Sequence, residues 1–71
     1  MVFNYKKLLG RIKEYGHTQG SVANLLGISE NAFTNKIKCR HYFTSLEIAS
    51  ICNLLEIAKE DIGVYFFAIE V

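Results

Sequence analysis

Apolar residues recur at helical spacing along most of the chain. Tyr5, Leu8, Leu9, Ile12 and Tyr15 form a first stripe with the 3.6-residue period of an amphipathic helix. Asn4 is placed to cap its start and Gly16 to stop it,. Lys6, Lys7, Arg11 and Lys13 occupy the other side, a basic face suited either to solvent in a bundle or to a membrane surface. Gly10 within this helix points to close approach of another backbone,. A second helix opens at Thr18 and carries Val22, Ala23, Leu25 and Leu26. Gly27 interrupts it, where a left-handed residue ends a helix,. Ser29 caps a third helix, Glu30 to about Lys38, that buries Ala32, Phe33 and Ile37,. Two short helices joined by roughly three residues around a glycine are the mark of a helix-turn-helix.

Residues 38–43 read as a basic and aromatic loop. Thr44 opens a fourth helix, and Glu47 three residues on completes a capping box,. Ile48, Ile51, Cys52 and Leu55 are its buried stripe, and Lys59 to Ile62 begins a short fifth helix. Beyond Gly63, helical spacing of Ile62, Tyr65, Phe66 and Ile69 competes with the strand propensity of residues 64–67,. Helix is the expectation as far as about residue 66. The pattern predicts one all-α domain over residues 1–71, a compact bundle of about five short helices.

Composition narrows the function. At 71 residues and 51% hydrophobic, the chain is globular and too short to wall off a sizeable catalytic pocket,. No uninterrupted apolar segment approaches the ~20 residues of a membrane helix. No signal-peptide pattern opens the chain, and the two cysteines, Cys39 and Cys52, fit a reducing cytoplasm,. Cys39, His41, His17 and Cys52 lack the paired spacing of a zinc site, so no metal or cofactor is expected,. No paired carboxylates or nucleophile-base pair suggests an enzyme or a small-molecule substrate.

The net charge of +1 hides a gradient. Residues 1–30 carry +2, residues 31–46 carry +3 from Lys36, Lys38 and Arg40 with no acid, and residues 47–71 carry −4. A phosphate backbone responds to the local field rather than to the total.

The stretch Thr18 to Phe33 resembles the helix-turn-helix of the repressor family (XRE-type) that includes the phage Cro and CI repressors. Gln19 opens the first motif helix, Ala23 stands where the helices cross, Gly27 makes the turn and Phe33 anchors the second helix. Residues 4–12, 45–55 and 60–67 are similar to small Cro-like phage repressors, so the likeness spans nearly the whole chain. Lys36 stands where the family has an apolar residue, with Ile37 taking that role. Gly20 and Ser21 replace a common early acid, at some cost to the helix.

The resemblance implies a lambda-repressor-like fold whose third helix reads operator DNA in the major groove. On that mapping Ser29, Glu30, Asn31, Thr34 and Asn35 face bases, and Gln19, Lys36, Lys38 and Arg40 meet phosphates,. Ser29 as a plain cap, Glu30 as a dipole partner and the lysines as a solvated face are the structural alternatives. Tyr65 and Phe67 exceed what a short tail buries easily and are candidate contacts of a homodimer on double-stranded operator DNA,. The expected function is thus a cytoplasmic, sequence-specific phage or prophage repressor. The alternative is a helical protein-interaction module, such as an antitoxin or an anti-repressor partner, using the C-terminal aromatics as its working surface.

Overall fold

The computed structural model describes residues 2–69. Among them lie five α-helices: α1 (Lys6–Glu14), α2 (Gln19–Leu26), α3 (Glu30–Ile37), α4 (Ser45–Leu55) and α5 (Ile62–Phe66), the last preceded by a 3-10 turn, Lys59–Asp61. The fold is the compact all-helical bundle that the periodicity predicts.

Local chemistry sets the helix limits. Thr18 Oγ1 accepts from Ser21 N–H, and Ser21 Oγ accepts from Thr18 N–H at 2.9 Å, a reciprocal cap on α2. Ser21 therefore offsets the weakening expected from residues 20 and 21. Ser29 caps α3 through Ala32 N–H at 3.0 Å. Thr44 and Glu47 form the capping box of α4. Asn4 is not the cap of α1; Tyr5 holds that position, and Asn4 Oδ1 accepts from Lys6 N–H in a local turn,. Gly27 adopts φ 74°, the left-handed geometry that ends α2 and admits the turn into α3,.

Leu8, Ile12, Val22, Ala23, Phe33, Ile51, Leu55 and Phe66 are nearly inaccessible and make the core, closed by Tyr5 and Ile57. Ala23 lies within the α2–α3 pair, the most closely associated helices of the bundle. A larger side chain there would hold the two apart. Gly10 does not mark a close backbone approach, since a side chain built on it would meet open space. Tyr15 departs from its predicted buried stripe: it lies at the surface beneath the Arg11 guanidinium, 4.6 Å from the ring centre. The chain ends meet in one antiparallel bridge, Phe3 with Ile69, and Asn4 N–H donates to the Ala68 carbonyl at 2.7 Å.

Candidate functional site

The α2–turn–α3 geometry is present, and α3 carries most of the residues assigned to base reading. Ser29 is occupied as the helix cap, while Glu30 and Asn31 are exposed at the first turn. Thr34 and Asn35 are half-buried further along, and Asn35 Oδ1 accepts from Arg40 Nη1 at 3.2 Å. Gln19 lies half-buried and lines a cleft with Thr18, His17, Leu9 and Lys13.

The proposed phosphate set is divided. Lys36 points inward: its Nζ sits 3.1 Å from Glu47 Oε1, donates to the Tyr42 carbonyl at 3.1 Å and lies over the Phe43 ring. With its side chain 13% exposed, Lys36 serves as the link between α3 and the start of α4. Burial pushes the Glu47 carboxyl up, but the Thr44 N–H and Lys36 outweigh it and hold the group below the ordinary carboxylate value. Only Lys38 and Arg40 of the three cations stand exposed. The substitution of Lys36 for an apolar residue thus has a structural cause: its ammonium finds a carboxylate on α4.

A second surface gathers apolar groups from distant parts of the chain. The Phe3 ring meets Tyr42 at 6.4 Å and Phe67 at 5.7 Å, both edge to face. Tyr42 and Phe67 on it, and Ile69 bridged to it, are each at least half exposed, Tyr42 at 68%. Cys39, itself at φ 63°, holds this strand end: Phe3 N–H donates to its Sγ at 3.4 Å and the thiol reaches back to the Phe3 carbonyl. Tyr65 does not join this surface; it is half-buried, with the Arg11 guanidinium 6.0 Å from its ring. Of the two predicted dimer residues only Phe67 is an open apolar side chain. Ile69, which the helical spacing groups with Ile62 and Phe66, lies beyond α5 and pairs with Phe3 instead, a contact no periodicity along the chain shows. Leu25 and Leu46 are also strongly exposed, on α2 and α4.

Among the described residues no three side chains of metal-ligating type come together, and no helix is long and apolar enough to cross a membrane.

Comparison with known proteins settles the family. The family model described as "Protein of unknown function (DUF739)" matches residues 1–69. The chain belongs to that family. No curated protein sequence matches it. Among solved structures it is similar to the modulator of repression (MOR) of the temperate bacteriophage TP901-1 from Lactococcus lactis, determined in solution. The TM-score is 0.78 and the identity 32%, over 99% of this chain and 97% of the other.

That likeness corrects the functional expectation. The relative is a modulator of repression, which fits the protein-interaction alternative and overturns the reading of this chain as an operator-binding repressor. Nothing in the comparisons supports operator DNA as partner or a homodimer. The helix-turn-helix geometry is real, but a fold of this kind carries no function by itself.

Proposed function

We propose that this chain is a protein-interaction module of phage or prophage origin that modulates a repressor by binding it. The observation that carries the reading is the 32% identity, over nearly the whole of both chains, to a phage modulator of repression. The surface is consistent with it: Tyr42, Phe67 and Ile69 leave an apolar area open beside Phe3, and grouped exposed apolar residues mark protein contacts. On this reading the 71 residues act as one domain in the host cytoplasm, by binding rather than by catalysis. A partner that binds one state of a repressor better than another shifts its occupancy of the operator by that difference in affinity.

Calorimetric titration of the intact chain into the repressor encoded by the same phage tests the proposal. The expected result is a saturable complex of about micromolar affinity or tighter. Absence of heat and of co-migration on gel filtration at tens of micromolar protein overturns it.

A further inference from the structure

We propose that the cleft between α1 and the start of α2 is a binding site for a small amphiphilic anion, an alkyl chain ending in a carboxylate. The cleft shares no residue with the open aromatic end and stands independently of the function proposed above.

Gly10 is a glycine without a structural task. It stands in the interior of α1, where glycine weakens a helix relative to alanine. A Cβ at this position would meet nothing within 4 Å, and the backbone there is not left-handed. Neither packing nor backbone geometry therefore calls for glycine. What Gly10 does line is a cleft of about 440 Å³, within the roughly 300–1,000 Å³ of small-molecule sites. Leu9 and Ile12 line it as well, and its polar residues include Lys13, His17 and Gln19.

These polar groups lack partners within the chain. Among the described residues, Lys13 has no carboxylate at ion-pair distance, whereas Lys36 has one in Glu47. The half-buried Gln19 makes no side-chain hydrogen bond among them either. The His17 ring is held through Nδ1, 3.2 Å from Ser21 Oγ, and its Nε2 is left without a partner. No carboxylate lines the cleft. An ammonium, an amide N–H and an imidazole N–H are together donors for one carboxylate, and Leu9, Gly10 and Ile12 offer an apolar wall to an alkyl chain. On this reading glycine at position 10 keeps the cleft open. The groove between α2 and α4 is the weaker candidate, because no charged side chain lines it to select an occupant.

The probe is octanoate, held below its micellar concentration and titrated into the intact chain while backbone amides are followed by NMR. Acetate, octanol and inorganic phosphate are titrated beside it. Octanoate should shift the amides of residues 9–19 saturably, with half-saturation at about millimolar concentration or below. Gly10→Leu should weaken that binding about tenfold or more while melting no lower than the wild type. Lys13→Gln should weaken it about three- to tenfold, and Lys7→Gln, on the same helix but outside the cleft, should leave it unchanged. No saturation by octanoate at tens of millimolar overturns the site, as does wild-type binding by Gly10→Leu. Octanol acting as strongly as octanoate overturns the anionic head, and acetate or phosphate doing so overturns the apolar body. Equal weakening by Lys7→Gln and Lys13→Gln reduces the effect to attraction by a basic helix face and overturns the cleft. Loss of repressor binding by Gly10→Leu, with no response to octanoate, assigns the cleft to a protein segment instead. Should Gly10→Leu melt early, Gly10→Ala and Lys13→Gln decide, since both positions are exposed. The octanoate titration involves no repressor, so its failure leaves the proposed function standing.

Discussion

Arg11 and Glu56 together close the end of α4. The Arg11 Nε donates to the Leu55 carbonyl at 2.9 Å and its Nη2 to the Glu56 carbonyl at 3.0 Å, so one side chain of α1 satisfies carbonyls that a helix terminus leaves unpaired. Glu56 is the left-handed residue there, at φ 52°, a position usually given to glycine,. That conformation costs a residue with a side chain roughly 1–2 kcal/mol, and glycine loses part of the advantage through its freer unfolded chain. Glu56→Gly should therefore stabilise the domain by about 0.5–1 kcal/mol and raise the melting temperature by a few degrees. A lower melting temperature would show that no strain resides at this cap. Arg11→Leu should lower stability by about 1–3 kcal/mol in urea unfolding, because it orphans charge-assisted bonds. Neither role is legible in the sequence. Arg11 reads as a solvated cation of an amphipathic helix, and its partners lie 44 and 45 residues away.

At the scale of elements, legibility follows sequence distance. The Thr44–Glu47 capping box is a contact three residues long and could be named from the chain alone. The turn at Gly27 and the buried positions Ala23 and Phe33 are equally local in their logic. The pairing of Lys36 with Glu47 joins two helices, and no local pattern shows it; from the chain alone Lys36 reads as a phosphate contact. The same pairing makes a pH-dependent prediction. Because Glu47 is held below its ordinary value, chiefly by the Thr44 N–H and Lys36 acting against burial, the folded state favours its ionised form. The stability it contributes is complete above the unfolded carboxyl value, about 4.3, and disappears as pH falls through the lower folded value. Glu47→Gln keeps an oxygen for the Thr44 N–H but has no charge to lose. Denaturant unfolding between about pH 7 and pH 3 should show a smaller fall in stability for Glu47→Gln than for the wild type. Parallel curves would remove Lys36–Glu47 as an acid-sensitive contact.

Across the whole molecule, one chain of aromatic rings runs from the core to the open apolar end. Phe43 sits within 5.5 Å of the Tyr5 ring and 5.7 Å of both Phe33 and Phe66. Tyr5 continues the series to Phe3 at 6.3 Å, and Phe3 to Phe67 at 5.7 Å. A loop residue thus anchors the bundle, and Phe3 and Phe67 join that anchor through Tyr5. Helix periodicity locates Phe33 and Phe66, but Phe43 lies in a loop where no period applies. The two ends of the ring series should respond to substitution in opposite ways. Phe43→Ala removes a ring shared by three others and should cost about 3–5 kcal/mol, a large share of the roughly 4–11 kcal/mol expected for a domain of this length. Its melt should be broad and early, and any loss of partner binding should track the unfolded fraction. Phe67→Ser touches a half-exposed ring and should change stability by about 1 kcal/mol or less, while weakening the complex several-fold. Urea unfolding and calorimetric titration of the two variants, run at one temperature, separate these outcomes. If Phe67→Ser unfolds the domain as readily as Phe43→Ala, the open end is part of the core and its exposure is not there for a partner.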